Sequence, residues 1–231
     1  MSLTEKAMTR IRELIQSGDL SPGSRLPPEP QLAADLGVGR NIMREAVRAM
    51  VAARVLEVRR GNGTFVTSLE PRLLLEGIGE AVELLQGDTV LELTEVRRLF
   101  EPAATSLAAT RITQEQLAEV KGHLDAMRAA ADDVELLNKH DSAFHRAVIA
   151  ATGNQTLMTV LDGISSRTVR ARVWHGLVVA DAAGRTLREH EAIHHALVAG
   201  DAFRAQAAAL MHITTTETWL RDHLQDASAQ S

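Results

Sequence analysis

Two groups of residues in the 231-residue sequence are spaced so that they could do chemistry. Asp141 and His145 are four residues apart, so on a helix a carboxylate and an imidazole share one face about one turn apart. Such a pair can hold a divalent cation. His190 and His212 fall on the two following helical stretches, and in a bundle facing helices can converge side chains of this kind on one interior point. One carboxylate and three imidazoles suit zinc first, with nickel, manganese or iron also compatible, and they leave positions open for water or a ligand oxygen. Against this, a lone Asp-x3-His pair is more often a helix-surface pair than a metal site. His194 could also compete with His190, from which it is four residues away. His140 lies about 100° round the helix from Asp141, and His123, His175 and His223 read as surface or packing residues.

The second group is Arg40, Arg44 and Arg48, spaced i, i+4, i+8. They form one basic stripe on a helix whose other face carries Ile42, Met43, Ala46, Val47 and Met50. Asn41 lies beside the stripe near the helix start. Arginine pairs with guanine and asparagine with adenine in a major groove. The N-terminal turns of a recognition helix are where base contacts arise. Three arginines could equally well solvate an exposed helix face. What separates these readings is the surrounding pattern.

That pattern is three short helices followed by a hairpin. Ile11, Leu14 and Ile15 line an opening helix that Ser17-Gly18-Asp19 ends. Pro27-Pro28 opens a second helix with Leu32, Ala33 and Leu36 apolar, and Gly37 stops it. The arginine-bearing helix begins near Gly39. Residues 55–60 and 64–66 then alternate like strands around Gly61-Asn62-Gly63, a turn rich in residues that tolerate positive φ. Arg59, Arg60 and Gly61 sit where a wing would meet DNA. The expected fold is mainly α: an N-terminal winged helix-turn-helix, three helices plus a β-hairpin, over 1–69, then an all-α helical bundle over 70–231. Helices in the bundle are expected near 71–86, 90–109, 113–131, 133–152, 154–177, 183–199 and 201–224. Thr113-Gln114-Glu115-Gln116 resembles a capping box, and Asn154 is placed to cap the helix that follows it.

Composition narrows the class. The chain has no cysteine, which excludes disulfides and thiolate metal sites. The N-terminus lacks the unbroken apolar core of a signal peptide, and no apolar run approaches the roughly 20 residues of a membrane span. A cytoplasmic protein with no membrane partner is expected. The net charge is −5, but it divides into +3 over residues 1–69 and −8 over the remainder. An acidic body with a basic head suits a protein that meets a polyanion at one end.

The run LPPEPQLAADLGVGRNIMREAVRAMVAARVLEVRRGNGTFV, residues 26–66, resembles the DNA-binding domain of the GntR family. The resemblance implies that Arg40 and Arg44 contact DNA, that Asn41 and Ile42 between them tune base choice, and that Arg60 and Gly61 make the wing-tip contact. Three residues depart from the family pattern. Pro30 stands at a commonly basic position, Gly39 at a usual serine or threonine, and Arg54 at a usual glycine. The stretches EVRRLFEPAATSLAA (95–109), HDSAFHRAVIAATGN (140–154), REHEAIHHALVAGDA (188–202) and ALMHI (209–213) resemble the FCD effector-binding domain of the family's FadR-type branch. The resemblance implies that Asp141, His145, His190 and His212 are metal ligands and that Arg97 meets an acid effector. Arg97 could instead bridge Glu101, its i+4 neighbour. Whether Arg170, Arg172 or Trp174 line the cavity is left open by periodicity.

Together these features lead to an expected homodimeric, ligand-responsive regulator that binds a near-palindromic DNA operator. Its affinity for DNA would be set by a small carboxylic acid, a hydroxy or sugar acid, bound at the metal site. Two alternatives stay open at this point: a regulator for which the metal itself is the signal, and a metal-dependent hydrolase-like enzyme using bound water.

Overall fold

The computed structural model describes residues 1–75, 77–84, 89–179 and 181–229, without the side chains of 83, 166, 167, 170, 171, 174 and 224–229. Arg170 and Trp174 therefore lie outside the described side chains. The chain divides into two compact units, Met1–Gly77 and Ile78–Ser231.

The first unit holds helices α1 (Leu3–Gln16), α2 (Glu29–Asp35) and α3 (Arg40–Ala52), strands β1 (Leu56–Arg59) and β2 (Gly63–Val66), and the short α4 (Pro71–Leu74). A reciprocal capping box between Ser2 and Glu5 starts α1. Proline in the first turn of α2 replaces an N–H that would have no partner there. Gly37 turns the chain between α2 and α3 at φ +64°, a conformation that costs glycine no steric strain. In α3, Met43, Ala46, Val47 and Met50 recur at helical spacing and are buried. They pack with Ala7, Ile11, Leu32, Ala33, Leu56 and Val66 into one core. The hairpin pairs Leu56 with Val66 and Arg59 with Gly63, leaving Arg60, Gly61 and Asn62 as the tip. Backbone bonds from Leu26 to Thr64 and from Val66 to Ser24 tie the hairpin to the chain before α2.

Arg54 adopts φ +59°, the left-handed region, at the place where the family usually has glycine. A side chain there costs roughly 1 kcal/mol. Arg54→Gly is expected to raise stability by up to about 1 kcal/mol, read as a higher denaturant midpoint at unchanged slope. A lower midpoint would show that the Arg54 side chain contributes more than the strain costs.

The second unit has helices and no strand among its described residues: α5 (Gly77–Leu84), α6 (Thr89–Ala109), α7 (Gln114–Ala129), α8 (Val134–Ala150), α9 (Gln155–Val178), α10 (Ala182–Val198) and α11 (Ala202–Ala229). The single helix expected over 71–86 is instead two pieces, α4 and α5, and residues 85 and 86 lie outside the described residues. α4 ends at Leu74 with Leu75 as its cap, and both Gly77 and Gly79 lie within α5. Thr113 and Gln116 form the expected capping box, and Asn154 Oδ1 accepts from the Leu157 N–H at 3.0 Å. Gly200, at φ +64°, separates α10 from α11. Helices α7, α8, α10 and α11 bury Val120, Leu124, Met127, Phe144, Ile193 and Leu197 between them. This core is the floor on which the polar cluster sits.

Candidate functional site

In the N-terminal unit, α3 turns Met43, Ala46, Val47 and Met50 inward, and the same periodicity leaves Arg40, Asn41, Arg44 and Arg48 exposed. Ile42 is half-buried against the core. Arg48 bonds Glu45 at 3.1 Å, and Arg44 Nε lies 3.8 Å from Glu29. These are exposed pairs, which contribute little to stability and leave the guanidinium groups available. On the hairpin, Gly61 adopts φ +77° beside the exposed Arg60. Arg59 lies over the Phe65 ring at 4.3 Å and bonds Glu57, so it is held along the strand.

In the helical unit, Asp141 and His145 from α8, His190 from α10 and His212 from α11 come together. One ligand atom from each lies within 4.8 Å of all the others. Two donors on opposite sides of a cation at about 2.1 Å would be about 4.2 Å apart, so the span suits a single ion. His194 is outside this group. His140 packs toward His123 of α7, with ring centroids 6.3 Å apart.

The donor chemistry fits a cation. His190 Nδ1 is 2.8 Å from the Thr186 carbonyl oxygen, which can only accept. Nδ1 therefore carries the proton, and Nε2 presents a lone pair. That Nε2 is buried, 3.1 Å from Asp141 Oδ1, and has no hydrogen-bond partner, as expected of two facing acceptors. His212 Nδ1 is 2.8 Å from Glu189 Oε2, and Glu189 also accepts from Thr215 at 2.9 Å. His212 Nε2 then faces His145 Nε2 at 3.2 Å. His145 Nδ1 lies 3.4 Å from Glu101 Oε2. Each imidazole thus has an outer acceptor that aims its Nε2 inward, the arrangement that orients metal-ligating histidines. Phe144 packs edge-on against His190 at 4.6 Å and closes one side.

The charges agree. Burial works to raise the Asp141 pKa, but the Arg172 guanidinium and the neighbouring imidazoles outweigh it and hold the carboxyl well below the usual carboxylate range. Burial pushes His145 well below the ordinary imidazole value of 6.5, assisted by His190 and His212. Burial likewise lowers His212, assisted by His190. At neutral pH the cluster therefore holds one carboxylate and neutral His145 and His212, the forms a metal requires.

A pH dependence follows. Below about 6.5 the unfolded chain protonates imidazoles that the folded chain keeps neutral at His145 and His212. The unfolded state then binds more protons, and stability falls with acidification. Asp141 acts in the same direction at lower pH, because its folded value lies below its unfolded one. In metal-free buffer, denaturant midpoints are expected to decline from about pH 6.5 downward, and to decline less in His145→Gln. A flat profile down to about pH 5 would show that these imidazoles are not held neutral.

Arg97 is fully buried in α6. It grips Glu101 through Nε at 2.6 Å and Nη2 at 3.3 Å and donates from Nη1 to Thr168 at 3.1 Å. Of the two roles open to Arg97 in the sequence, the bridge to Glu101 is present, and the contact with an acid effector stays a proposal. Arg97 lies in the wall of neither cavity beside the cluster. Arg172 of α9 lines both. Its Nη1 bonds the Asp141 carboxylate and its Nη2 the Ser142 hydroxyl at 3.1 Å. The first cavity, about 160 Å³, is the more polar of the two and touches Asp141, His212, Asn138, Thr186 and Thr216 beside Val134, Leu137 and Val179. The second, about 300 Å³, runs between α8 and α9.

His175, read from sequence as surface or packing, is buried in the wall of the polar cavity, and its Nε2 has no hydrogen-bond partner. Spacing gave no signal for it. Glu101 and Thr186 were foreseeable as i+4 and i−4 neighbours of Arg97 and His190, and Glu189 as the residue before His190.

No described helix is long and apolar enough to cross a membrane. Residues 3–66 match the model for bacterial regulatory proteins of the gntR family, and residues 92–215 match the FCD domain. The chain is 32% identical over 218 residues to the HTH-type transcriptional regulator LutR of Bacillus subtilis, covering 92% of this chain and 99% of that one. It is 33% identical over 232 residues to the galactonate operon transcriptional repressor of Escherichia coli, covering 96% and 98%. Among solved structures, Streptococcus agalactiae GntR superposes with a TM-score of 0.66 at 30% identity, covering 93% and 99%. These relatives and both domains are those of regulators rather than enzymes, which removes the hydrolase alternative. The chain belongs to the GntR family of bacterial transcriptional regulators, with a winged helix-turn-helix at its N-terminus and an FCD domain after it.

Proposed function

We propose that this regulator binds a near-palindromic operator as a homodimer in the cytoplasm and that a small carboxylic acid, a hydroxy or sugar acid, sets its DNA affinity from the helical domain. Arg40, Asn41, Ile42, Arg44 and Arg48 read or approach the major groove, and Arg60 and Gly61 contact DNA at the wing. Two copies related by two-fold symmetry would match two half-sites.

The observation that carries the sensing half is the convergence of four donors, three of them buried, beside a cavity. Asp141, His145, His190 and His212 would hold a divalent ion, zinc in first place. When bound, the ion offers open coordination positions to the oxygens of an acid. Arg172, His175 and Thr216 face the same cavity and supply donors for a carboxylate or a hydroxyl. Arg97, which holds Glu101 behind His145, is the further guanidinium that would meet the acid effector. One relative is named for galactonate, a sugar acid, which supports this acid class. An acid that binds one DNA-binding arrangement better than the other shifts operator affinity by its differential binding free energy.

The test is a thermal-shift screen of hydroxy and sugar acids on the full chain, as purified and after stripping with a strong chelator. A ligand of the folded state raises the melting temperature by mass action. The expected result is one acid class that stabilises the metal-loaded chain and not the stripped one. If metal alone shifts the melt and no acid does, the metal is the signal and the acid reading fails.

A further inference from the structure

The hairpin of the N-terminal unit has two faces. Leu56 and Val66 pair on the one turned to the core. Paired residues of neighbouring antiparallel strands share a face, and so do alternate residues along each strand. Glu57 with Phe65 and Arg59 with Gly63 therefore make up the other face. A backbone bridge sets Arg25 opposite Phe65 and so adds it to this outer face. Arg59 and Arg25 thus come to lie on the same face, on either side of β2.

The two arginines are held differently. Arg59 bonds Glu57 through Nε at 2.9 Å and Nη2 at 2.5 Å and covers the Phe65 ring, so its charge is already met. Arg25 is exposed, and among the described residues its guanidinium has no hydrogen-bond or ion-pair partner. It lies against the backbone of Gly63, where a Cβ would stand 2.8 Å from its Nε and 3.1 Å from its Nη2. Gly63 is thus required twice, by its φ of +104° and by the arginine packed on it. A cation held in place without a carboxylate partner gives up little freedom on meeting an anion and has no ion pair to break. Neither Pro30 in the first turn of α2 nor Gly39, the N-cap of α3, has a side chain that can bond a phosphate. Holding the DNA backbone then falls more heavily on the hairpin.

We infer that Arg25 is a DNA contact of the wing's outer face, binding a phosphodiester oxygen of the duplex beside the contact at Arg60 and Gly61. The inference rests on the reading that the wing meets DNA. It adds a residue from outside the hairpin, brought there by the strand-like segment before α2. Such a contact fixes the protein on the duplex and carries no sequence information.

The experiment is a mobility-shift titration of the full chain on a random-sequence duplex and on operator selected from random DNA, from about 50 to about 200 mM salt. Arg25→Gln is expected to lower the slope of log affinity against log salt by about 0.9, the value for one phosphate, so that the loss of affinity across this range shrinks about threefold. The two duplexes should be affected alike. Arg25→Lys, which restores the charge, should keep the wild-type slope. Being exposed, Arg25 can be replaced with little effect on the fold. A side chain that only braces the hairpin would not be rescued by lysine, so equal weakening by both variants at an unchanged slope would overturn the contact. So would a slope lost in Arg59→Gln and kept in Arg25→Gln, which places the contact on Arg59. The wing reading fails separately. If Arg60→Ala flattens the slope and Arg25→Gln does not, the wing meets DNA without Arg25. If neither does, the wing itself is off the duplex and Arg25 with it.

Discussion

Arg44→Ala is expected to lower affinity for the operator by roughly tenfold to a hundredfold, the range for losing one two-pronged base contact, while leaving the fold intact. The residue stands on the exposed side of α3 and lies 3.8 Å from Glu29, an exposed pair whose loss costs the fold little. The buried face of the same helix is untouched by the change. Operator recovered by selection from random DNA should be bound less tightly in a mobility-shift titration, and discrimination between operator and random duplex should narrow. Arg60→Ala at the wing should instead weaken both kinds of DNA alike and flatten the dependence on salt, as a phosphate contact would. Unchanged protection of the operator by Arg44→Ala would remove this residue from the reading helix.

The second large effect is expected at His145. His145→Ala removes a donor from the centre of the cluster, where its Nε2 lies 3.2 Å from that of His212 and 3.7 Å from Asp141. Metal content by mass spectrometry should fall from about one ion per chain to near zero after dialysis. Glu189→Gln offers a graded comparison. It keeps all four donors but weakens the acceptor that aims His212, and outer partners of this kind are worth about 10- to 100-fold in metal affinity. The expected order is wild type, then Glu189→Gln, then His145→Ala. Full occupancy in His145→Ala would show that the four residues are not a ligand set, whatever their proximity. Loss in Glu189→Gln equal to that in His145→Ala would mean that His212 binds only when Glu189 holds it.

Much of this was legible in the sequence because it depends on local periodicity. The apolar spacing of α3 places Met43, Ala46, Val47 and Met50 on one side, and therefore Arg40, Arg44 and Arg48 on the other, without reference to anything distant. The hairpin around Gly61 and Gly63 and the caps at Thr113 and Asn154 are likewise decided within a few residues. The same holds for Asp141 and His145, one turn apart on α8. The helix expected over 71–86 is two pieces, α4 and α5.

What lay beyond reach depends on helix packing. That His190 and not His194 joins Asp141 is settled by how α10 rotates against α8 and α11, and i, i+4 spacing makes both equally eligible. Arg97 was open between bridging Glu101 and meeting an acid. The bridge is present because a guanidinium 2% exposed must be paired with what the fold brings to it. The orphaned Nε of Arg172 and the buried, unpartnered Nε2 of His175 have no signature in the sequence. Whether a donor is satisfied is a property of neighbours 30 or more residues away, as Asp141 and Ser142 are from Arg172. The sequence by itself determined which residues face in or out along each element and which chemistry they carry. The tertiary structure alone decided which of them meet, because only packing sets the rotation and spacing between helices.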